Sequence, residues 1–197
     1  IILESMRARS TTVYNPKIKT TPFLATLAPH SLVVDRFYPI IPHTSKAILS
    51  LICGIPPNIK MPIVEGLPGG IPGRCIPKLM GDIGYDTAFF QTATNTFEHR
   101  QQLLENMGFK TIRSHEDLPK KKFHKTNSFG YEDRMMLQPS LDWIDKNLKR
   151  KKPFFLTYLN LVSHFEYNVP SYFPRKRYVK SNDKDLYKFH NSIRYID

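Results

Sequence analysis

Apolar residues cluster in short blocks separated by turn-forming residues, and the blocks differ in period. Phe154-Phe155-Leu156-Thr157-Tyr158-Leu159, held between Pro153 and Asn160, reads as the clearest strand. Thr87-Ala88-Phe89-Phe90 is a second buried strand, Ile1-Ile2-Leu3 a third, and Leu32-Val33-Val34 a short fourth. Helical spacing appears elsewhere. Ile48, Leu49, Leu51 and Ile52 give a helix starting near Ser45, stopped by Gly54 and Pro56-Pro57. Thr21-Pro22 opens a helix with Phe23, Leu24 and Leu27 as its apolar face, ended by Pro29. Further helices are predicted over 77–83 and 101–107, from Met136 through Leu148 with Pro139 near its start, and over 184–196. Trp143 is expected to pack in or near the core. Strand, helix and strand in succession point to parallel α/β connections.

Between these blocks lie three long connections. From Pro56 to Pro77 the chain is rich in Pro and Gly and reads as an ordered loop, without the GxxxxGK[ST] spacing of a phosphate loop. Lys110 to Ser128 is a basic surface segment, and Tyr167 to Arg177 an aromatic and basic one. The 197 residues, 41% hydrophobic and 23% charged, suffice for one sizeable core and exclude a disordered chain. No apolar run approaches the roughly 20 residues of a membrane span. The net charge of +12 is concentrated in Lys120-Lys121-Lys122, Lys149-Arg150-Lys151-Lys152 and Arg175-Lys176-Arg177. These runs fall between predicted elements, where solvated lysines are usual. No nucleic-acid motif accompanies them, so attraction of an anionic substrate is the modest inference. Cys53 and Cys75 have no metal or CxxC spacing; a disulfide cannot be deduced, and each is expected to be a small buried apolar residue.

Four polar residues follow separate apolar elements, at what parallel topology makes one edge of a sheet. Glu4 follows the first strand and has the oxygen ligands a hard cation takes, or is a solvated strand-end acid. Thr44 and Ser45 stand at the start of the 45–53 helix, where unpaired N–H groups favour an anion or alkoxide; an ordinary N-cap is the other reading. Arg100 follows the second strand and could grip an anionic oxygen in a fork of donors, while His99 beside it reads as a surface residue. His164, past the end of the clearest strand, has a ring that can give or take a proton at a substrate oxygen, or is structural.

In this order, with Ile2-Leu3-Glu4-Ser5, His43-Thr44-Ser45-Lys46-Ala47 through Gly54, Gly84-Tyr85 with Thr87–Phe90, and Pro153–His164, the chain resembles the sulfatase-like branch of the alkaline phosphatase superfamily. It is most similar to threonine-nucleophile members such as lipoteichoic acid synthases and other phosphoglycerol or phosphoethanolamine transferases. The resemblance implies an α/β fold with a mixed, mostly parallel central sheet and helices on both faces. It implies that Glu4 and Thr44 bind a divalent ion (Mn, Mg or Ca), that Thr44 is the nucleophile, and that Arg100 and His164 hold the substrate oxyanion. The substrate would be a phospho- or sulfo-ester, with a lipid or glycan as possible carrier, and the location extracytoplasmic or membrane-anchored.

Phosphoester chemistry is favoured over sulfate-ester hydrolysis by the residues themselves. Sulfatases proper convert Cys or Ser in a Cys/Ser-x-Pro/Ala-x-Arg frame to an aldehyde. Thr44 cannot yield one, Ser45 has Leu49 where Arg is needed, and Cys53 is followed by Ile55 and Pro57. A catalytically inactive homologue that binds an anionic polymer is the remaining alternative. The Asp-His-Gly metal motif of such proteins does not occur in 1–197, so the segment is expected to be a partial catalytic domain, with weak metal binding and little activity alone.

Overall fold

In the computed structural model, which describes residues 1–60 and 63–197, the elements follow the predicted alternation. They are α1 (Pro22–Leu27), α2 (Thr44–Cys53), α3 (Ile76–Asp82), β1 (Asp86–Gln91), α4 (Arg100–Asn106), β2 (Thr111–Arg113), β3 (Lys125–Asn127), β4 (Gly130–Tyr131), α5 (Leu137–Lys149), β5 (Phe154–Leu159) and α6 (Lys184–Ile196). The central sheet has the order β2-β1-β5, with both pairings parallel, and Phe89 of β1 lies level with Ile112 on one side and Thr157 on the other. Ile2 makes a parallel bridge to Leu159, so residues 1–3 run beside β5 and deliver Glu4 to the edge where β1 and β5 also end. β3 and β4 form a separate antiparallel hairpin.

The period-two alternation of β1 divides the core. Phe89 faces Ile48, Leu49 and Ile52 of α2 and Leu103, Leu104 and Met107 around α4. Ala88 and Phe90 face Leu118, Met135 and Met136, with Trp143 of α5 packed against them. Helical elements therefore cover both faces, as expected of an α/β sheet whose central strand is apolar on both sides. Trp143 is half-buried against Phe154, with ring centroids 5.6 Å apart.

Two glycines set the limits of helices on the sheet's first face. Gly54, with φ +66°, ends α2 in the left-handed conformation. Gly108, with φ +96°, ends the α4 segment so close to α3 that a Cβ would lie 2.8 Å from the Lys78 backbone.

Several local expectations are corrected. Leu32-Val33-Val34 forms no strand, and Leu32 is 93% exposed. α1 buries none of its residues; its opening N–H groups, of Phe23 and Leu24, donate to the Asp197 carboxylate at 3.0 and 2.9 Å. Asp197 thus ties the end of α6 to the start of α1, an acid at a helix N-terminus. The segment 110–128, read as surface, contributes β2 to the sheet and β3 to the hairpin. Within 56–77 the described residues form a 3-10 turn at Val64–Gly66 and otherwise irregular chain up to the start of α3 at Ile76, with Met61 and Pro62 outside the described residues. Pro139 sits in the first turn of α5, where its missing N–H costs nothing. The lysine and arginine runs are exposed apart from the half-buried Lys152.

The largest correction concerns the cysteines. Cys53, the last residue of α2, and Cys75, which precedes α3, are joined in a disulfide that spans 22 positions. Cys75 is buried as expected and Cys53 is half-buried against the same core, and the covalent bond arises because α2 and α3 pack side by side on the sheet.

Candidate active site

Thr44 is the first residue of α2, not its N-cap; His43, in an extended conformation, is the cap and makes no side-chain capping bond. The Thr44 hydroxyl is therefore free of capping duty. Its Oγ1 donates instead to Glu4 Oε2 at 3.0 Å, across 40 positions of sequence. Ser5 Oγ donates to the other oxygen of the same carboxylate at 2.9 Å. Glu4 itself is held by the turn after β5. Its N–H donates to Asn160 Oδ1 at 2.7 Å, its carbonyl accepts from Ser163 Oγ, and Asn160 Nδ2 donates to Ser163 Oγ at 2.9 Å.

That turn is fixed from below by Asp133, whose carboxylate accepts the N–H groups of Leu161 and Val162 at 2.7 and 3.1 Å and the Thr92 hydroxyl at 2.9 Å. Burial pushes its carboxyl up to about 6, against the pull of those donors. A carboxyl raised from 3.8 in this way binds its proton more tightly folded than unfolded. Its contribution is thus fully present below pH about 4 and lost as pH rises through about 6, on the order of 3 kcal/mol. Denaturant titrations at pH 4 to 7 are expected to show this decline, and Asp133→Asn to remove it; an unchanged slope in the variant would assign the decline to other groups.

Arg100 opens α4 and is buried, 6% exposed. One terminal nitrogen donates to Gln91 Oε1 at 3.3 Å, the other to Ser45 Oγ at 3.0 Å, and its Nε is buried without a partner. Burial lowers its pKa, while Glu98 and then Glu4 oppose the shift, and a guanidinium stays charged throughout. Ser45 is 1% exposed and donates to Glu98 Oε2 at 2.6 Å, and His43 Nε2 lies 2.7 Å from Glu98 Oε1. Glu98 and His99 both have positive φ, +55° and +52°, a costly conformation for residues with a Cβ. It turns the Glu98 side chain back onto the first turn of α2 and leaves His99 exposed, as read from sequence.

The structure thus brings Glu4 and Thr44 into direct contact, while Arg100 is bonded to the neighbouring Ser45, whose hydroxyl leads on to Glu98 rather than to Glu4 or Thr44. His164 ends the same turn that holds Glu4 but makes no hydrogen bond to the other three among the described residues. Its Nδ1 lies 2.8 Å from the Phe165 carbonyl, and its ring meets Phe129 edge-on at 5.0 Å. A carbonyl only accepts, so Nδ1 carries the hydrogen, and in the neutral ring Nε2 is the nitrogen with the lone pair. Asn160, Ser163, Asp133, His43 and Glu98 were not singled out from sequence. Glu98 carried the one available signal, an acid two residues before the candidate arginine.

Among the described residues no group of three or more His, Cys, Asp or Glu side chains is placed to hold a metal ion. Glu4 and Thr44 nevertheless offer two adjacent oxygen donors, the ligand type of hard cations.

No curated protein matches the chain at a significant level. Among solved structures it is similar to the lipoteichoic acid synthase LtaP from Listeria monocytogenes, with a TM-score of 0.83 and 19% identity over 98% of this chain and 47% of that one. An alkaline phosphatase superfamily protein from Vibrio parahaemolyticus gives a TM-score of 0.78 at 19% identity, covering 98% and 46%. The C-terminal periplasmic domain of EcEptC from Escherichia coli, in complex with Zn, gives 0.71 at 15% identity, covering 98% and 54%. The chain spans about half the length of each, and at these identities the likeness establishes the alkaline phosphatase-like fold. The family model described as Sulfatase matches residues 1–197 in full, and the chain belongs to that family.

Proposed function

We propose that this chain carries the nucleophile side of a metal-dependent phosphoester transferase or hydrolase, acting through a covalent phospho-threonine at Thr44. The observation that carries the reading is the Thr44 hydroxyl, left free by the His43 cap and set 3.0 Å from the Glu4 carboxylate at the N-terminus of α2. Glu4 and Thr44 would hold a divalent ion as part of a larger donor set. Two oxygens are too few for tight binding, so the ion would need further donors. When bound, such an ion lowers the pKa of the hydroxyl and withdraws charge from the ester.

Thr44 Oγ1 gives up its proton to solvent and attacks phosphorus in line; the Oγ1–P bond forms as the bond to the leaving alcohol oxygen breaks, and that oxygen takes a proton from solvent. Arg100, its terminal nitrogens bonded to Gln91 and Ser45, stabilises charge on the non-bridging oxygens through its positive charge. In the second half, water or an acceptor alcohol attacks the phospho-threonine, the Oγ1–P bond breaks and Thr44 Oγ1 takes a proton from solvent, while Nε2 of His164 takes the attacking group's proton. Sulfate-ester hydrolysis is disfavoured on this geometry, because Ser45 is buried with its hydroxyl bonded to Glu98, and Cys53 is bonded to Cys75.

The disulfide also supports an oxidising, extracytoplasmic location. No helix among the described residues is long and apolar enough to cross a membrane.

The test is mass spectrometry of the full-length protein after incubation with divalent metal and bis(p-nitrophenyl) phosphate, with peptide mapping of 44–54. A phosphoryl adduct on Thr44 is expected. An aldehyde at Ser45, or an adduct mapped to any other side chain, would overturn the reading.

A further inference from the structure

The site contains a carboxylate that anion binding does not call for. Glu98 lies beside the residues read as holding a negatively charged ester, and its side chain is 11% exposed. Its Oε2 accepts from Ser45 Oγ, which in turn accepts from Arg100, so carboxylate and guanidinium share one hydroxyl and lie within about 6 Å of each other. The other oxygen, Oε1, faces His43 Nε2. A carboxylate oxygen only accepts, so His43 Nε2 carries the hydrogen and donates to Glu98, while its Nδ1 is buried without a partner among the described residues. Two consecutive left-handed residues, Glu98 and His99, keep the carboxylate there at a conformational cost, although a loop relaxed to ordinary dihedrals would carry it elsewhere. For an acid to be held next to the arginine of an oxyanion pocket is unfavourable for anion affinity, and the cost rises with the charge of the anion.

We propose that Glu98 is a specificity-determining residue: coupled to Arg100 through Ser45 Oγ, its negative charge offsets the guanidinium and biases the pocket toward monoanionic phosphodiesters and against dianionic phosphate groups. This rests on the reading of Arg100 as the oxyanion holder. The repulsion is the discriminating element, since a dianion meets it with twice the charge of a monoanion while sharing the same donors. It also favours release of the phosphate monoester, the dianion left if water resolves the covalent intermediate formed from a phosphodiester.

The experiment is calorimetric titration of the full-length, metal-loaded protein at pH 8 with inorganic phosphate and, separately, with dimethyl phosphate, in the parent, Glu98→Gln, Glu98→Ala and Arg100→Gln. Loss of the negative charge is expected to tighten phosphate binding about tenfold and dimethyl phosphate about threefold, in both Glu98 variants. A purely structural role predicts the opposite, weaker binding of both ligands as the first turn of α2 loosens. Unchanged or weaker phosphate binding in both Glu98 variants, with binding still lost in Arg100→Gln, would overturn the proposal and leave the oxyanion reading standing. Phosphate binding indifferent to Arg100→Gln would overturn that reading and the proposal with it.

Discussion

Thr44→Ala in the full-length protein is expected to abolish turnover of a phosphoester, by at least about a thousandfold, while leaving the fold intact. The size follows from the role proposed for the hydroxyl, because without Oγ1 no covalent intermediate forms, and Arg100 and the helix N-terminus can only bind. The fold survives because Thr44 is half-buried and its one side-chain bond runs to Glu4, a contact worth about 1 kcal/mol. α2 is held by Ile48, Leu49 and Ile52, none of which the substitution touches. Thr44→Ser keeps an oxygen at the same position and should retain part of the activity, although the freed rotamer lowers the share of productive hydroxyl. Steady-state rates, with circular dichroism to confirm folding, decide the matter. Full activity in Thr44→Ala would remove Thr44 from the chemistry, and loss of binding along with turnover would point to a structural role.

Reduction of the Cys53–Cys75 disulfide is expected to destabilise the domain by about 3 kcal/mol, the chain-entropy cost of a loop of this length. For a chain of this size that lowers the melting temperature by on the order of ten degrees. The loop it closes carries Glu65, whose carboxylate lies 3.5 Å from the buried Lys46 ammonium two residues past Thr44. Asn106 of α4 clamps the same loop by donating to the Glu65 and Leu67 carbonyls at 2.9 and 2.7 Å. Opening the disulfide therefore loosens the support of α2 at both of its ends. Thermal melts with and without reductant test this, with Cys53→Ala/Cys75→Ala as the control that no longer responds to reductant. A melting temperature that ignores reductant in the parent would show that the bond does not form or does not constrain the unfolded chain.

Much of this arrangement was written in local sequence. Thr87–Phe90 and Phe154–Leu159 are mostly apolar, with only Thr87 and Thr157 polar among their buried positions, and their alternation with helical blocks specifies parallel connections. Glu4, Thr44 and Arg100 were legible because each directly follows or opens such a block, and parallel topology carries all three to one edge. Other features depend on partners remote in sequence. Leu32-Val33-Val34 has strand-forming residues but no neighbouring strand to pair with, and composition does not say so. Glu98 looks like an ordinary loop acid until two left-handed residues fold it onto α2, 53 positions away from Ser45 in sequence. The cysteines carry no spacing signal, because their meeting is set by the packing of α2 against α3.

Sequence alone determined the two long strands, the helices and the edge of the sheet at which the candidate residues gather, since hydrophobic period and chain direction are local properties, whereas the short strands β2, β3 and β4 were not legible in it. Only tertiary structure decided that Thr44 faces Glu4 while Ser45 is buried against Glu98 and Arg100, that Asp133 pins the turn beneath Glu4, and that Cys53 bonds Cys75. Each of these is a contact between side chains far apart in sequence, and its geometry is fixed by the packing of whole elements.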